Sequence, residues 1–244
     1  MPSTLYTDPR LVALYDTLNP RAADTAFYLA LAEGKNHIID LGCGTGLLAC
    51  ELAARGHRVV AIDPAPEMLH VARHRREGEH VQWIEGDARA LALLPPADLL
   101  LMTGHVAQVF LDDPTFLDTL KATRYALRNG GELAFESRNP AARAWESWTP
   151  AQSRRRVNVE GIGEVEVWHD DVGGSPESGI RFNTYYRFKA TDETLTSASE
   201  LCFRTQGELA ALLESAGFSH LLWHGDWNGV SVSASSRELI VVAR

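Results

Sequence analysis

The sequence predicts an α/β fold: a doubly wound, mostly parallel sheet covered by helices on both faces, with a small antiparallel β insert. Three observations predict it. Short apolar runs alternate with helical stretches from residue 36 to residue 138. Most of those runs are continuously apolar, as strands buried on both faces are. After residue 139 the pattern turns to period two, with glycine-rich turns between the runs.

Residues 9–33 read as helix, with Leu11, Leu14, Tyr15 and Leu18 on one side. Asn19-Pro20 interrupts it, and "ADTAFYLALAE" resumes it. "HIIDL" is a short buried strand. "LLACELAARG" follows as a helix that stops at Gly56. "RVVAID" is the second strand. Pro66 and Glu67 suit the first turn of the next helix, "EMLHVARHRRE". "VQWIEGD" and "ADLLLM" are the third and fourth strands. "TFLDTLKATRYALRNGG" is a helix ending in glycine, and "ELAFES" is the fifth strand. Residues 150–203, with "RRRVNVEGIGEVEVWHDD" and "IRFNTYYRFKA", are expected to form antiparallel strands over the main sheet. "TQGELAALLESAGF" returns to helix, where Thr205 and Glu208 make a capping box. "SHLLWHG" and "ELIVVAR" are the last two strands.

Composition narrows the partners. The 244 residues are 45% hydrophobic and 23% charged, ordinary for a soluble globular chain. The net charge of −9, from 32 acids and 23 bases, disfavours nucleic acid as the main partner. Three scattered cysteines, Cys43, Cys50 and Cys202, fit reduced thiols and a cytoplasmic setting. No Cys or His spacing suggests a metal site, so none is expected. The start, "MPSTLYTDPR", lacks the pattern of a signal peptide. The longest apolar candidate for a membrane span, "LALLPPADLLLM", is broken by Pro95 and Pro96. A monomer or homodimer is expected.

Right-handed crossovers place the C-terminal ends of the parallel strands on one edge, where such sheets bind ligands. The turn in "IIDLGCGTG" follows the first strand and falls there. Glycines at 42, 44 and 46 let the backbone approach a ligand closely. Up to this point a dinucleotide and S-adenosylmethionine fit equally well. Three details bear on the choice. Leu47 stands where the dinucleotide fingerprint needs its third glycine. Asp40 would repel a pyrophosphate but suits a cationic ammonium. Asp63, ending the second strand, suits ribose hydroxyls in either cofactor.

With these residues the chain resembles the class I S-adenosylmethionine-dependent methyltransferases. "IIDLGCGTG", "VVAIDPAPEML", "IEGDARAL", "ADLLLMTGHVAQVF" and "FRTQGELAALLESAGF" carry the resemblance, over residues 36–138 and 203–243. It implies a seven-stranded Rossmann-like sheet whose last strand, antiparallel to the rest, lies between the fifth and sixth. It implies S-adenosyl-L-methionine as cofactor and a division into residues 1–138 with 203–244, the methyltransferase domain, and 139–202, an inserted lid. By the same resemblance Gly42, Gly44 and Gly46 pass beside the methionine and ribose, and Asp40 orients the ammonium. Asp63 holds the ribose hydroxyls and Met68 lies against adenine. Asp87 accepts from the adenine amino group, and the Ala88 N–H meets a ring nitrogen. Thr103 and Gly104 border the methyl-donor end. Ala65 departs from the serine of many relatives and removes an N-cap worth about 1 kcal/mol.

The acceptor side is less marked. An N-terminal tyrosine, Tyr15 or Tyr6, is expected near the sulfonium or packed on the body. His105, a candidate base, and Gln108 follow the fourth strand. Arg138, Asn139, Arg143, Trp145 and Trp148 follow the fifth, and line an acceptor pocket or seat the insert. Cys43 reads as a small filler of the turn, and Arg154–Arg156 as a solvated edge. The expected activity is methyl transfer to a small-molecule acceptor, at nitrogen, oxygen or carboxylate. The alternatives are a protein or RNA methyltransferase, a non-catalytic S-adenosylmethionine binder, and an NAD(P)-dependent oxidoreductase. "TGHVAQ" lacks the Asn/Asp-Pro-Pro-aromatic signature of amino-methylating DNA enzymes.

Overall fold

The apolar runs become the core strands of a computed structural model, which describes residues 3–176 and 178–244. The chain opens with four helices, α1 (Thr4–Thr7), α2 (Pro9–Val12), α3 (Tyr15–Leu18) and α4 (Ala23–Ala32). It continues through β1 (His37–Leu41), α5 (Leu47–Ala54), β2 (Arg58–Asp63), α6 (Pro66–Arg73), β3 (Val81–Glu85), β4 (Ala97–Met102), α7 (Asp113–Ala126) and β5 (Leu127–Arg138). The helix α8 (Pro150–Ser153) leads into β6 (Arg155–Val159), β7 (Gly163–Ser175), β8 (Gly179–Phe188) and β9 (Thr194–Leu201). The end is α9 (Gln206–Ser215), β10 (Leu221–His224) and β11 (Glu238–Ala243).

β1 and β4 are buried along their whole length, as continuous apolar runs require. The main sheet has seven strands in the order β10-β11-β5-β4-β1-β2-β3. β1 pairs in parallel with both β2 and β4. β11 is antiparallel to β5 and β10, which is the arrangement the resemblance implies. Strand order runs one way from β1 to β2 and β3, and the other way to β4 and β5. The switch point therefore lies between the C-terminal ends of β1 and β4, where the crevice of an open α/β sheet forms.

The second sheet is antiparallel, in the order β6-β7-β8-β9. Its inner face presents Val159, Val165, Val167 and Tyr186 to Leu11 and Leu14. Val12 and Tyr15 face the other way and pack with Ala65 and Met68. One straight helix cannot serve both surfaces. That is why the helix expected over 9–33 is broken again between α2 and α3, before the expected break at Asn19-Pro20.

The helix expected to run to the glycines at 130 and 131 stops at Ala126. Leu127 already pairs with Ala97, and the register shifts before Leu99 meets Glu132. A Cβ on Gly131 would stand 2.9 Å from the Ala97 carbonyl oxygen, so the glycines let β5 bulge past β4. The predicted capping box at α9 is complete: the Thr205 hydroxyl accepts from Glu208 N at 3.3 Å, and Glu208 Oε2 accepts from Thr205 N at 2.8 Å. Thr205→Ala should therefore cost about 1 kcal/mol and lower Tm by about 2–4 °C in a thermal melt, while Thr205→Ser keeps the melting point.

Candidate cofactor and acceptor site

The turn after β1 is fixed by its neighbours before any ligand is considered. Gly42 N and Cys43 N both donate to Ile62 O, at 2.8 and 3.1 Å, tying the turn to β2. Gly42 has φ +82°, and a Cβ there would lie 2.5 Å from Val106. A Cβ on Gly46 would meet the Trp83 ring at 2.4 Å, so this glycine admits a tryptophan that packs beneath the turn. A Cβ on Gly44 would meet Met68 Cε and Tyr15 Cε1 only at ordinary contact distances of 3.8 and 3.9 Å. The three glycines thus have three different neighbours. Cys43 lies between two of them as a thiol whose pKa burial pushes far up, with Asp40 and Asp63 adding to the rise.

Asp40, near the end of β1, is 0% exposed, and among the described residues neither carboxylate oxygen has a hydrogen-bond partner. Burial pushes its pKa up to about 7, helped by the charges of Asp63 and Glu136. A buried carboxylate without a donor costs several kcal/mol unless a cation meets it. Asp63, at the end of β2, accepts from Gly44 N at 2.8 Å and from Ala65 N at 2.9 Å. Burial raises its pKa, and those two backbone donors pull it back. Among the described residues no side chain caps α6 at Ala65; the Asp63 bond goes to the Ala65 N–H and does not replace that cap.

Asp87 follows β3 and caps the short turn Ala88–Leu93. Its carboxylate accepts from Arg89 Nε at 2.9 Å and Arg89 Nη2 at 2.7 Å, and the Arg89 guanidinium holds its pKa below the usual range. Ala88 is partly buried against the main core. Met68 is buried with Val12 and Ala65. α3 reaches the glycine turn directly: Thr45 Oγ1 donates to Asp16 Oδ1 at 2.6 Å, and Arg75 bridges Asp16 and the Thr45 carbonyl. Tyr15 stands edge-on to Tyr6, with ring centroids 6.3 Å apart.

At the other side of the crevice Thr103, Gly104 and His105 follow β4. Gly104 (φ +71°) and His105 (φ +63°) are both left-handed, and the chain turns back to carry Val106 onto Gly42. His105 N donates to Glu136 Oε1 at 2.6 Å, and Tyr28 OH donates to Glu136 Oε2. His105 Nε2 lies 3.1 Å from Glu238 Oε2. Gln108 is buried; it donates to Cys202 O at 3.2 Å and accepts from Arg138 Nη1 at 2.9 Å. Burial lowers the pKa of Arg138, with Glu238 and Glu136 opposing. Its guanidinium lies over Trp148, 5.7 Å from the ring centroid.

Of the residues after β5, the structure brings Arg138 and Trp148 together at this edge. Trp145 packs on Phe203 at 4.7 Å, and Trp148 on Phe182 at 4.4 Å, so both tryptophans seat the insert. Asn139 holds Ser236 O and Ala141 N. Arg143 pairs with Glu146 in an exposed turn. Arg154 and Arg156 pair with Glu166, and Arg154 covers Trp168 at 4.2 Å. Sequence reasoning missed Glu136 and Glu238. An acid inside the buried run "ELAFES" was the available signal for the first; Glu238 carried none.

The fold and the crevice define a class: an α/β protein with a ligand crevice at the switch point and a buried, unpartnered carboxylate, Asp40, beside it. Comparison with known proteins names it. A family model for the methyltransferase domain matches residues 38–131. The ubiquinone/menaquinone biosynthesis C-methyltransferase UbiE of Rubrivivax gelatinosus is 28% identical over 198 residues, 80% of this chain and 68% of that protein. The cypemycin N-terminal methyltransferase of a Streptomyces is 23% identical over 211 residues, 84% of this chain and 81% of that one. The CcbJ methyltransferase of Streptomyces caelestis has the same fold, with TM-score 0.71 at 20% identity over 91% of this chain and 88% of that one. The chain carries a methyltransferase domain and is similar over most of its length to S-adenosylmethionine-dependent methyltransferases. It is an enzyme of the transferase type, with S-adenosyl-L-methionine as its cofactor. The buried, unpartnered Asp40 fits that cofactor's ammonium.

Asp40 also makes a stability prediction. Its folded pKa of about 7 lies above the usual 3.8, so its favourable contribution is full below about pH 4 and is lost as pH rises to about 7. Asn at this position does not titrate. Without cofactor, the stability of Asp40→Asn relative to the native chain should improve by about 2–3 kcal/mol between pH 5 and pH 8, read from thermal or urea melts. A difference that does not change with pH contradicts the assignment.

Proposed function

We propose that the protein transfers the methyl group to a small-molecule acceptor held between the glycine turn and the inserted sheet. The observation that carries this reading is the buried, unpartnered carboxylate of Asp40 beside the glycine turn. In the proposed arrangement Asp40 takes the ammonium, Asp63 takes the ribose hydroxyls, and Gly42, Gly44 and Gly46 keep the backbone close. Met68 and Tyr15 cover the adenosyl group, while Asp87 and the Ala88 N–H meet the adenine. Thr103 and Gly104 border the donor end. His105 is the proposed base. Arg138, Gln108, Trp145 and Trp148 form the acceptor wall, with Gln108 acting through Arg138.

The cofactor supplies an activated methyl group on a sulfonium centre. The protein's part is to align the acceptor, exclude water and receive a proton. Residues 1–138 and 203–244 are proposed as the methyltransferase domain and 139–202 as its lid. The packing of Leu11 and Leu14 on the inserted sheet supports one cap made of that sheet and the N-terminal helices. No helix among the described residues is long and apolar enough to cross a membrane. Three free cysteines support a cytoplasmic location. The acidic net charge of −9 supports an acceptor other than nucleic acid, and a monomer or homodimer is proposed.

Two measurements test this function. Calorimetry should show S-adenosylmethionine binding, and Asp63→Ala should weaken it about 10- to 100-fold through loss of charge-assisted hydrogen bonds. Unchanged affinity removes Asp63 from the ribose role. With methyl-labelled cofactor and a cell metabolite extract, the label should pass to low-mass products. Transfer only to macromolecules contradicts the small-molecule reading.

A further inference from the structure

We propose that Glu238 is a positioning residue for His105. It holds the imidazole as the Nε2–H tautomer and leaves Nδ1 bare to receive a proton. The site thereby selects acceptors that carry a proton at the attacked atom, amines and hydroxyls, over carboxylates. This rests on the proposed role of His105 as base and extends it to the acceptor class.

His105 is a non-glycine residue at φ +63°, a conformation that costs about 1–2 kcal/mol. It is held there by its N–H bond to Glu136, which Tyr28 locks from the other side. The imidazole therefore leaves the chain from a fixed point. Glu238 is fixed as well: it opens β11 and stands in register opposite Arg138 of β5. An ionised carboxylate only accepts hydrogen bonds, so the 3.1 Å contact puts the ring proton on Nε2. Among the described residues no hydrogen bond to His105 Nδ1 is found. The ring is partly buried, with 22% of the side chain exposed.

The charges facing this ring agree. Glu238 contacts it, Glu136 holds its backbone, and Arg138 is the cation near both. Arg138 is itself tied to Gln108 and Trp148. Two carboxylates against one guanidinium disfavour an anionic acceptor. In the step itself the acceptor's lone pair forms the new bond to the methyl carbon while the carbon–sulfur bond breaks. The sulfur keeps that electron pair, and the acceptor's proton passes to Nδ1, giving an imidazolium paired with Glu238. A carboxylate acceptor has no proton to transfer and gains nothing from this arrangement.

The tautomer can be measured without any acceptor. In protein with ring-15N histidine at about pH 8, a long-range 1H–15N spectrum should show His105 with a protonated Nε2 and a bare Nδ1. Glu238→Leu should lose that preference, and Glu238→Gln, which still offers an acceptor oxygen, should keep it. Cofactor affinity should stay within about threefold in these variants. A protonated Nδ1 in the native protein, or an unchanged tautomer in a folded Glu238→Leu, overturns the proposal.

A second arm reads the acceptor class. Products labelled from methyl-labelled cofactor in a metabolite extract should survive mild alkali, which cleaves methyl esters. The labelling should disappear in His105→Asn. Alkali-labile label overturns the proposal, and so does full labelling by His105→Asn. Failure of the cofactor reading is distinguished separately, as the absence of binding heat in the native protein.

Discussion

The interaction on which the site depends is one the free protein does not complete: a fully buried aspartate, Asp40, without a hydrogen-bond donor. Everything around it disfavours the bare carboxylate. It lies in the first strand, paired on both sides by parallel neighbours, so it cannot turn to solvent. Asp63 and Glu136 are close enough to raise its pKa further. A carboxylate kept in such a place reduces stability and is useful only when a positive group arrives. In the proposed arrangement the cofactor brings that group, so binding and relief of the buried charge are one event.

The N-terminal helices link this event to the acceptor side. Asp16 of α3 is joined to Thr45 in the glycine turn and to Arg75 behind it. On the same segment Leu11 and Leu14 belong to the core of the inserted sheet. Ser3 reaches Ser197 of β9 at 2.6 Å. One short stretch of chain therefore touches both the glycine turn and the second sheet, the proposed cofactor and acceptor sides. Its division into short helices follows from that double contact.

The parts legible in the sequence are those that local chemistry decides. Continuous apolar runs marked β1, β2 and β4, because strands buried on both faces leave no polar alternation. The proposed cofactor cradle was legible because Asp40 and the glycines stand within seven residues of one another, Asp63 ends β2 and Asp87 follows β3. The reason for Gly46 was not legible, since Trp83 comes to it from 37 positions further along the chain. The proposed acceptor edge is assembled from His105 in the turn after β4, Glu136 and Arg138 on β5, and Glu238 on β11, which is inserted out of order. No local pattern joins these residues; only the sheet does. The breaks near Leu14 and Leu127 were hidden for the same reason, being set by surfaces and a bulge that tertiary packing supplies.

The central claim is that the cofactor's ammonium takes the place of a proton on Asp40. Calorimetry of S-adenosylmethionine binding at about pH 6, repeated in buffers of different ionisation enthalpy, counts that proton directly. With Asp40 at about 7 in the free protein, the account predicts release of nearly one proton per cofactor bound, and none in Asp40→Asn. Binding without proton release in the native protein would contradict it.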